Sequence, residues 1–144
     1  MPLIDTLKTQ LSAAGCTQVF YENEQLANVI TDQINLDAIV GMIIEPSTAT
    51  FEVKGNGVTP RFPPVIVEIM QQVKPEDTAE HNRTAFEDLT AIASKFVYLL
   101  VRSAEFTKIT DVPATKITEN RYDANVIGWS LSLNLKYISN ALNC

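Results

Sequence analysis

The sequence from Ile127 to Tyr137 alternates between apolar side chains and small or polar ones. Because successive side chains of a β-strand point to opposite faces of its sheet, this alternation predicts one long strand over 126–138. Its predicted apolar face consists of Ile127, Trp129, Leu131, Leu133, Leu135 and Tyr137. Its predicted polar face consists of Gly128, Ser130, Ser132, Asn134 and Lys136.

Two segments have the apolar periodicity of amphipathic helices. The longer one begins at Asp77, which has the spacing of a capping box with Glu80, and predicts a helix over 78–103 that covers a sheet. We expect Trp129 to lie largely buried under this helix. The apolar stripe of the long helix consists of Phe86, Leu89, Ala93, Phe96 and Leu100, flanked by Ile92 and Leu99. A short first helix is predicted from Leu3, Ile4, Leu7, Leu11 and Ala14, with Gly15 as its stop.

Further strands are predicted where β-branched and aromatic residues cluster. The run 38–45 is almost continuously apolar, which predicts a buried central strand that ends at Pro46. The polar segment 22–36 fits either a short helix at 25–33 or an irregular loop. The remaining strands are expected at 17–21, 48–54, 65–73, 108–112 and 115–121, with Pro113 between the last two.

Glycine and proline residues are concentrated between positions 54 and 64. This pattern predicts an extended hairpin over about 47–73, in which an irregular, mobile tip at 54–64 joins strands 48–54 and 65–73. Lys54 and Arg61 are cations in a chain of net charge −6, and Phe62 is an apolar neighbour. We therefore predict Lys54, Arg61 and Phe62 as a candidate subunit or partner interface. The alternative is a flexible hairpin end without a partner.

The order of these elements predicts an α+β fold, because runs of strands lie between and after two helices. We expect a mixed, mainly antiparallel sheet with the long helix packed on one face and a short N-terminal helix. The length of 144 residues suits a single domain that comprises residues 1–144.

Charge and composition argue against several classes of protein. The net charge of −6 disfavours tight, sequence-independent binding to nucleic acid, although it lets DNA slide past without sticking. No apolar run has the length of a membrane span. The first residues lack the basic and apolar regions of a signal peptide. We therefore expect a protein that is made and kept in a cytoplasm.

Residues suited to catalysis or metal binding are sparse. His81 is the only histidine, and Cys16 and Cys144 are the only cysteines, which indicates neither a zinc set nor a disulfide framework. No nucleophile elbow, phosphate-binding loop or dinucleotide fingerprint occurs. We predict no catalytic residue, no cofactor and no metal.

The order of elements and the stretch 119–137 resemble the tail-terminator and tail-completion proteins of tailed bacteriophages. In that stretch the polar segment 122–125, Tyr-Asp-Ala-Asn, leads into the alternating final strand. The resemblance implies a structural protein without enzymatic activity. It implies a homo-oligomeric ring, commonly a hexamer, that ends the tail tube and joins it to the neck below the head. Tail-tube and neck or connector proteins would be its partners.

The same resemblance implies a place in the virion after assembly in the host cytoplasm, with DNA passing through the ring, no specific nucleic-acid binding and no membrane. A head-side connector ring of the neck also fits. A third alternative is a small non-viral α+β domain that binds a ligand or acts as an adaptor through a strand edge. An enzymatic or ligand site would have to use His81 with Asp77 and Arg83, or Arg61 with Phe62.

Overall fold

The computed structural model describes residues 2–23, 38–45, 49–61, 64–73, 79–103, 109–117, 120–121 and 124–134. The two helices are α1 (Pro2–Ala14) and α2 (Ala79–Arg102). The strands are β1 (Gln18–Asn23), β2 (Ile39–Glu45), β3 (Thr50–Lys54), β4 (Gly57–Arg61), β5 (Val65–Gln72), β6 (Ala114–Ile117), β7 (Asn120–Arg121) and β8 (Ala124–Leu133).

A mixed sheet forms the centre of the fold, with its strands in the order β1-β2-β5-β8-β6 and β7 paired with the start of β8. Strands β1 and β2 are parallel, and every other neighbouring pair is antiparallel. Strands β3 and β4 form a separate two-stranded sheet. The predicted α+β class, the mainly antiparallel mixed sheet and both helices are confirmed.

Helix α1 ends where the sequence predicted. The amide of Gly15 donates to the carbonyl of Ser12 at 3.2 Å, and the amide of Cys16 donates to that of Leu11 at 3.1 Å. These two bonds form a Schellman motif, which requires a left-handed residue after the helix, and Gly15 has φ of 123°. The motif turns the chain directly into β1.

Both helices pack on one face of the sheet. Helix α1 lies against β1 and β2, and α2 lies against β5 and β8. The apolar stripes predicted from the sequence supply this core, and Leu7, Leu11, Leu89 and Phe96 are fully buried in it. The sheet contributes its helix-facing residues Ile43, Val67, Ile69, Ile127, Leu131 and Leu133.

The opposite face of the sheet is not the polar surface that the alternation in β8 predicted. Gly128 is buried there, Ser130 and Ser132 are half-buried, and Glu68 has no exposed surface. The neighbouring strands place a second apolar cluster on this face, because runs such as 39–44 are apolar at every position and therefore supply both faces. This cluster consists of Val40, Met42, Ile44, Met70, Ile117 and Val126.

Two strand predictions need correction. Val65–Gln72 does not pair with the strand at 50–54, because it is a central strand between β2 and β8. The hairpin therefore comprises only β3 and β4, and residues 57–61 of the predicted irregular tip form a regular ladder with 50–54. Residues 109–113 are not a strand, although Ile109 and Val112 pack against the helix-facing core.

Several predictions concern residues outside the described part of the chain. The alternatives for 22–36 fall almost entirely there, as do Asp77 of the capping box and Cys144. Strand β8 ends at Leu133, and the predicted extension through Leu135 and Tyr137 also lies outside the described residues.

Gly128 allows two central strands to approach each other closely. It lies opposite Met70 in the β5–β8 ladder and has φ of 154°. A Cβ atom at this position would lie 2.0 Å from the carbonyl oxygen of Ile69 and 2.7 Å from Cα of Met70. Both are backbone atoms, so a side chain here would force β5 and β8 apart.

We predict that Gly128→Ala lowers the free energy of unfolding by about 3 kcal/mol or more, because the clash and the backbone strain add. Urea unfolding monitored by circular dichroism measures the change. Gly57→Ala is the matched control: its nearest new contact would be the Lys54 carbonyl at an ordinary 3.6 Å, and its effect should stay within about 1 kcal/mol. Equal effects of the two substitutions would contradict this account.

Candidate interaction surface

The hairpin of β3 and β4, residues 50–61, is here named the arm. Its turn consists of Gly55 and Asn56, and Gly55 has φ of 57°, in the left-handed region that tight hairpin turns use. The ladder is complete from Lys54 opposite Gly57 to Thr50 opposite Arg61. In the described part of the chain, these two strands pair with each other and with no other strand.

One face of the arm is apolar and open to solvent. Phe51 and Val53 share that face because they are two residues apart in one strand, and Val58 joins them because it lies directly opposite Val53. Phe51 is 66% exposed, Val53 is 73% exposed and Val58 is 63% exposed. Full burial of each such side chain contributes about 1.5–3 kcal/mol, so these residues strongly favour a covering partner.

The other face of the arm is polar. It carries Thr50, Glu52 and Lys54, and the Lys54 ammonium lies 4.0 Å from the Glu52 carboxylate. The Lys54 side chain is 86% exposed, so this ion pair adds little to stability. The arm is thus amphipathic: its polar face suits water, and its apolar face suits contact with another apolar surface.

The three residues predicted as an interface do not all fall within the described structure. Lys54 ends β3 at the turn, Arg61 ends β4 opposite Thr50, and Phe62 lies outside the described residues. Their interface role stays a prediction. The alternation of 48–54 indicated that Ala49, Phe51 and Val53 share a face, but pairing this strand with 65–73 missed Val58 and the exposure of that face. The sequence did contain a signal for the observed pairing. A two-residue turn between Lys54 and Gly57 places residue 58 opposite residue 53.

A second apolar surface lies between α2 and the edge of the sheet formed by β6 and β8. It is an open groove with a volume of about 520 Å³, here named the groove. Its floor includes Trp129 and Leu131 of β8, and one wall is formed by α2. Its lining consists of Thr90, Ala93, Ser94, Val97, Tyr98, Val112, Ala114, Trp129 and Leu131.

Trp129 lines the groove and packs against α2. Its ring packs on Phe86 with centroids 5.1 Å apart and planes tilted by 56°, and its Nε1 donates to Oγ1 of Thr90 at 2.8 Å. The Thr90 hydroxyl in turn donates to the Phe86 carbonyl at 2.8 Å. The predicted packing of Trp129 under α2 is therefore confirmed, but the side chain is half-buried because one side of it lines the groove.

Exposed apolar and charged side chains continue along the far end of the groove. Tyr98 is 56% exposed and Val101 is 52% exposed. The Arg102 guanidinium lies 5.5 Å from the centre of the Tyr98 ring and donates to the Tyr98 hydroxyl at 3.0 Å. Asp111 lies next to Val112 in the chain, is exposed, and accepts a bond from Thr110. This end of the groove therefore carries one positive and one negative group.

Only some of the residues considered for an enzymatic or ligand site lie in the described structure. His81 and Arg83 are exposed on the first turns of α2. Asp77 and Phe62 lie outside the described residues. Among the described residues, no group of three or more His, Cys, Asp or Glu side chains is placed to hold a metal ion. No described helix is both long and apolar enough to cross a membrane.

Comparison with known proteins adds no relative: no protein-family model, no curated protein and no solved structure matches this chain. The resemblance to tail-terminator proteins therefore stays a prediction.

We predict that Trp129→Phe lowers the free energy of unfolding by about 1 kcal/mol, since it keeps the contact with Phe86 but removes the bond to Thr90. Thr90→Val should cost a similar amount for the same reason. The double variant should cost less than the sum, because the two substitutions remove one shared bond. Chemical unfolding of the four proteins forms the cycle, and full additivity would contradict the pairing.

We predict that the buried thiol of Cys16 lowers the free energy of unfolding at alkaline pH. The thiol is buried beside Leu11 and Gly41, and burial raises its pKa to about 12. Between about pH 8.5 and 12 the unfolded chain loses this proton while the folded chain keeps it, so stability falls as pH rises. From pH 8 to pH 10 the natural protein should lose about 2 kcal/mol more than Cys16→Ala. Equal pH dependence of the two proteins would show that the thiol is solvated.

Proposed function

We propose that this chain is a structural assembly protein that forms a homo-oligomeric ring at the end of a phage tail or in the neck. In this role it ends the tail tube and joins it to the head. The observation that carries the proposal is the arm, whose apolar face is exposed at Phe51, Val53 and Val58. A surface of this kind is typical of a subunit that completes its burial only when it assembles.

In an isolated molecule the apolar face of the arm stays exposed to water, which is unfavourable. A two-stranded hairpin is marginally stable by itself, and this arm has no third strand within the described residues. Contact with another surface would stabilise the arm by covering its apolar face. A second copy of the same chain can provide that surface. A head-to-tail contact between identical subunits closes into a ring when the rotation between neighbours permits.

The resemblance supplies the biological context. The likeness to tail-terminator and tail-completion proteins rests on the order of elements along the chain and on the stretch 119–137, which includes most of strand β8. On this proposal the partners are tail-tube and neck proteins, the protein resides in the virion, and its role involves no catalysis. The net charge of −6 fits a channel that DNA crosses without sticking. A head-side connector ring would use the same surfaces.

We predict that the natural protein self-associates in solution. Light scattering after gel filtration over a hundredfold range of concentration should show a mass that rises well above 15.9 kDa. Negative-stain electron microscopy of the heaviest fraction should show rings. A mass of one chain at every concentration, together with failure to bind purified tail tubes, would contradict the proposed function.

A further inference from the structure

The arm and the groove are the two exposed apolar surfaces described above, and one chain carries both. We propose that the apolar face of one subunit's arm inserts into the groove of the next subunit, which makes the contact head-to-tail. This inference rests on the proposed ring-forming function and specifies its interface. The occupant of the groove is thus a second copy of this chain.

The arm fits within the length of the groove and its continuation. Five paired residues span four residue steps, which gives the ladder of the arm a length of about 14 Å. Along α2, the apolar wall continues past the groove lining to Val101, and the steps from Thr90 to Val101 span about 17 Å. An arm laid along α2 therefore reaches Val97, Tyr98 and Val101.

The charges of the arm stay at the surface of this contact. Glu52 and Lys54 lie on the polar face of the arm, opposite the face of Phe51 and Val53, so insertion of the apolar face buries neither charge. The described residues that line the groove are likewise uncharged. An amphipathic arm therefore docks without the desolvation cost of an unpaired buried charge.

The size of the contact favours a ring over a pair. The exposed apolar residues that one arm offers are Phe51, Val53 and Val58, whereas a standard stable interface buries roughly 1,600 Å² over about 20–30 residues a side, so a single contact is weak. In a closed ring each subunit contributes an arm to one neighbour and a groove to the other. Releasing one subunit then requires breaking two contacts, so a subunit is held more tightly in the ring than in a pair joined by one contact.

Contact between two arms is the alternative that would also cover Phe51, Val53 and Val58. It would be symmetric, since the same face is used on both subunits, and it would produce dimers that leave the groove open. The two arrangements therefore differ in a measurable way: arm-in-groove contact needs two different surfaces, whereas arm-on-arm contact needs one.

The test uses one variant for each surface. Val53→Asp places a charge on the apolar face of the arm, and Ser94→Arg places a long, charged side chain in the groove. Both positions are exposed, so folding should be preserved and is checked by circular dichroism. The matched controls are Thr50→Asp on the polar face of the arm and Asp88→Arg at an exposed position of α2 outside the groove.

We expect each of the two variants alone to be a single chain, with its association weakened at least about tenfold, while both controls assemble like the natural protein. An equimolar mixture of Val53→Asp and Ser94→Arg should give a complex of two chains and nothing larger. In that mixture the intact arm of the Ser94→Arg chain can enter the intact groove of the Val53→Asp chain. Native mass spectrometry measures the composition directly.

Three results would overturn the inference, and they separate it from the proposed function. A natural protein that stays monomeric at every concentration and does not bind tail tubes contradicts both. A natural protein that forms rings, with Ser94→Arg also forming them, leaves the proposed function standing and shows that the arm docks elsewhere. Dimers of Ser94→Arg, with Val53→Asp a single chain, would indicate contact between two arms.

Discussion

Strand β5 hydrogen-bonds to β2 on one side and to β8 on the other over nearly its whole length, and this double pairing organises the molecule. It brings residues that are far apart in the sequence into one sheet and aligns their apolar positions on a common face. The helices can then cover Val67, Ile69 and Leu131 together. The close approach at Gly128 belongs to the same pairing, since only a residue without a side chain lets the two backbones come this near.

The position of β5 also explains why the arm is separate from the main sheet. Both edges of β5 are occupied, so the preceding strands β3 and β4 cannot join it and pair with each other instead. The alternating pattern of 49–53 would give a buried face within a large sheet. In a two-stranded arm it gives an exposed apolar face at Phe51, Val53 and Val58. The exposure is therefore a consequence of topology and not of composition.

The groove arises in a similar way from the meeting of two elements of unequal length. Helix α2 has 24 residues, whereas the edge strand β6 has four. The helix therefore extends beyond this short strand, and Val97 and Tyr98 are left partly uncovered. Trp129 combines two roles as a result, because it anchors α2 through Phe86 and Thr90 while its remaining surface lines the groove.

The sequence by itself determined the elements whose periodicity is long and regular. Helix α1 with its glycine stop, helix α2 with its apolar stripe, the central strand β2 and the alternation of β8 could all be predicted, because each depends on local spacing. From these elements the α+β class and the helix-covered face of the sheet followed. The sequence also predicted Trp129 against α2, because it shares an apolar face with Leu131 and Leu133.

Only the tertiary structure decided which strands are neighbours. Both the arm and the groove depend on this strand pairing. The pairing of β5 with β2 and β8 shortened the predicted hairpin, turned residues 57–61 into a strand and exposed the apolar face of the arm. It also made the second face of the sheet apolar, which the pattern of β8 alone did not indicate. The physical reason is that strand pairing is long-range: local periodicity shows which side chains share a face, whereas the competition among all strands for edges determines what covers that face.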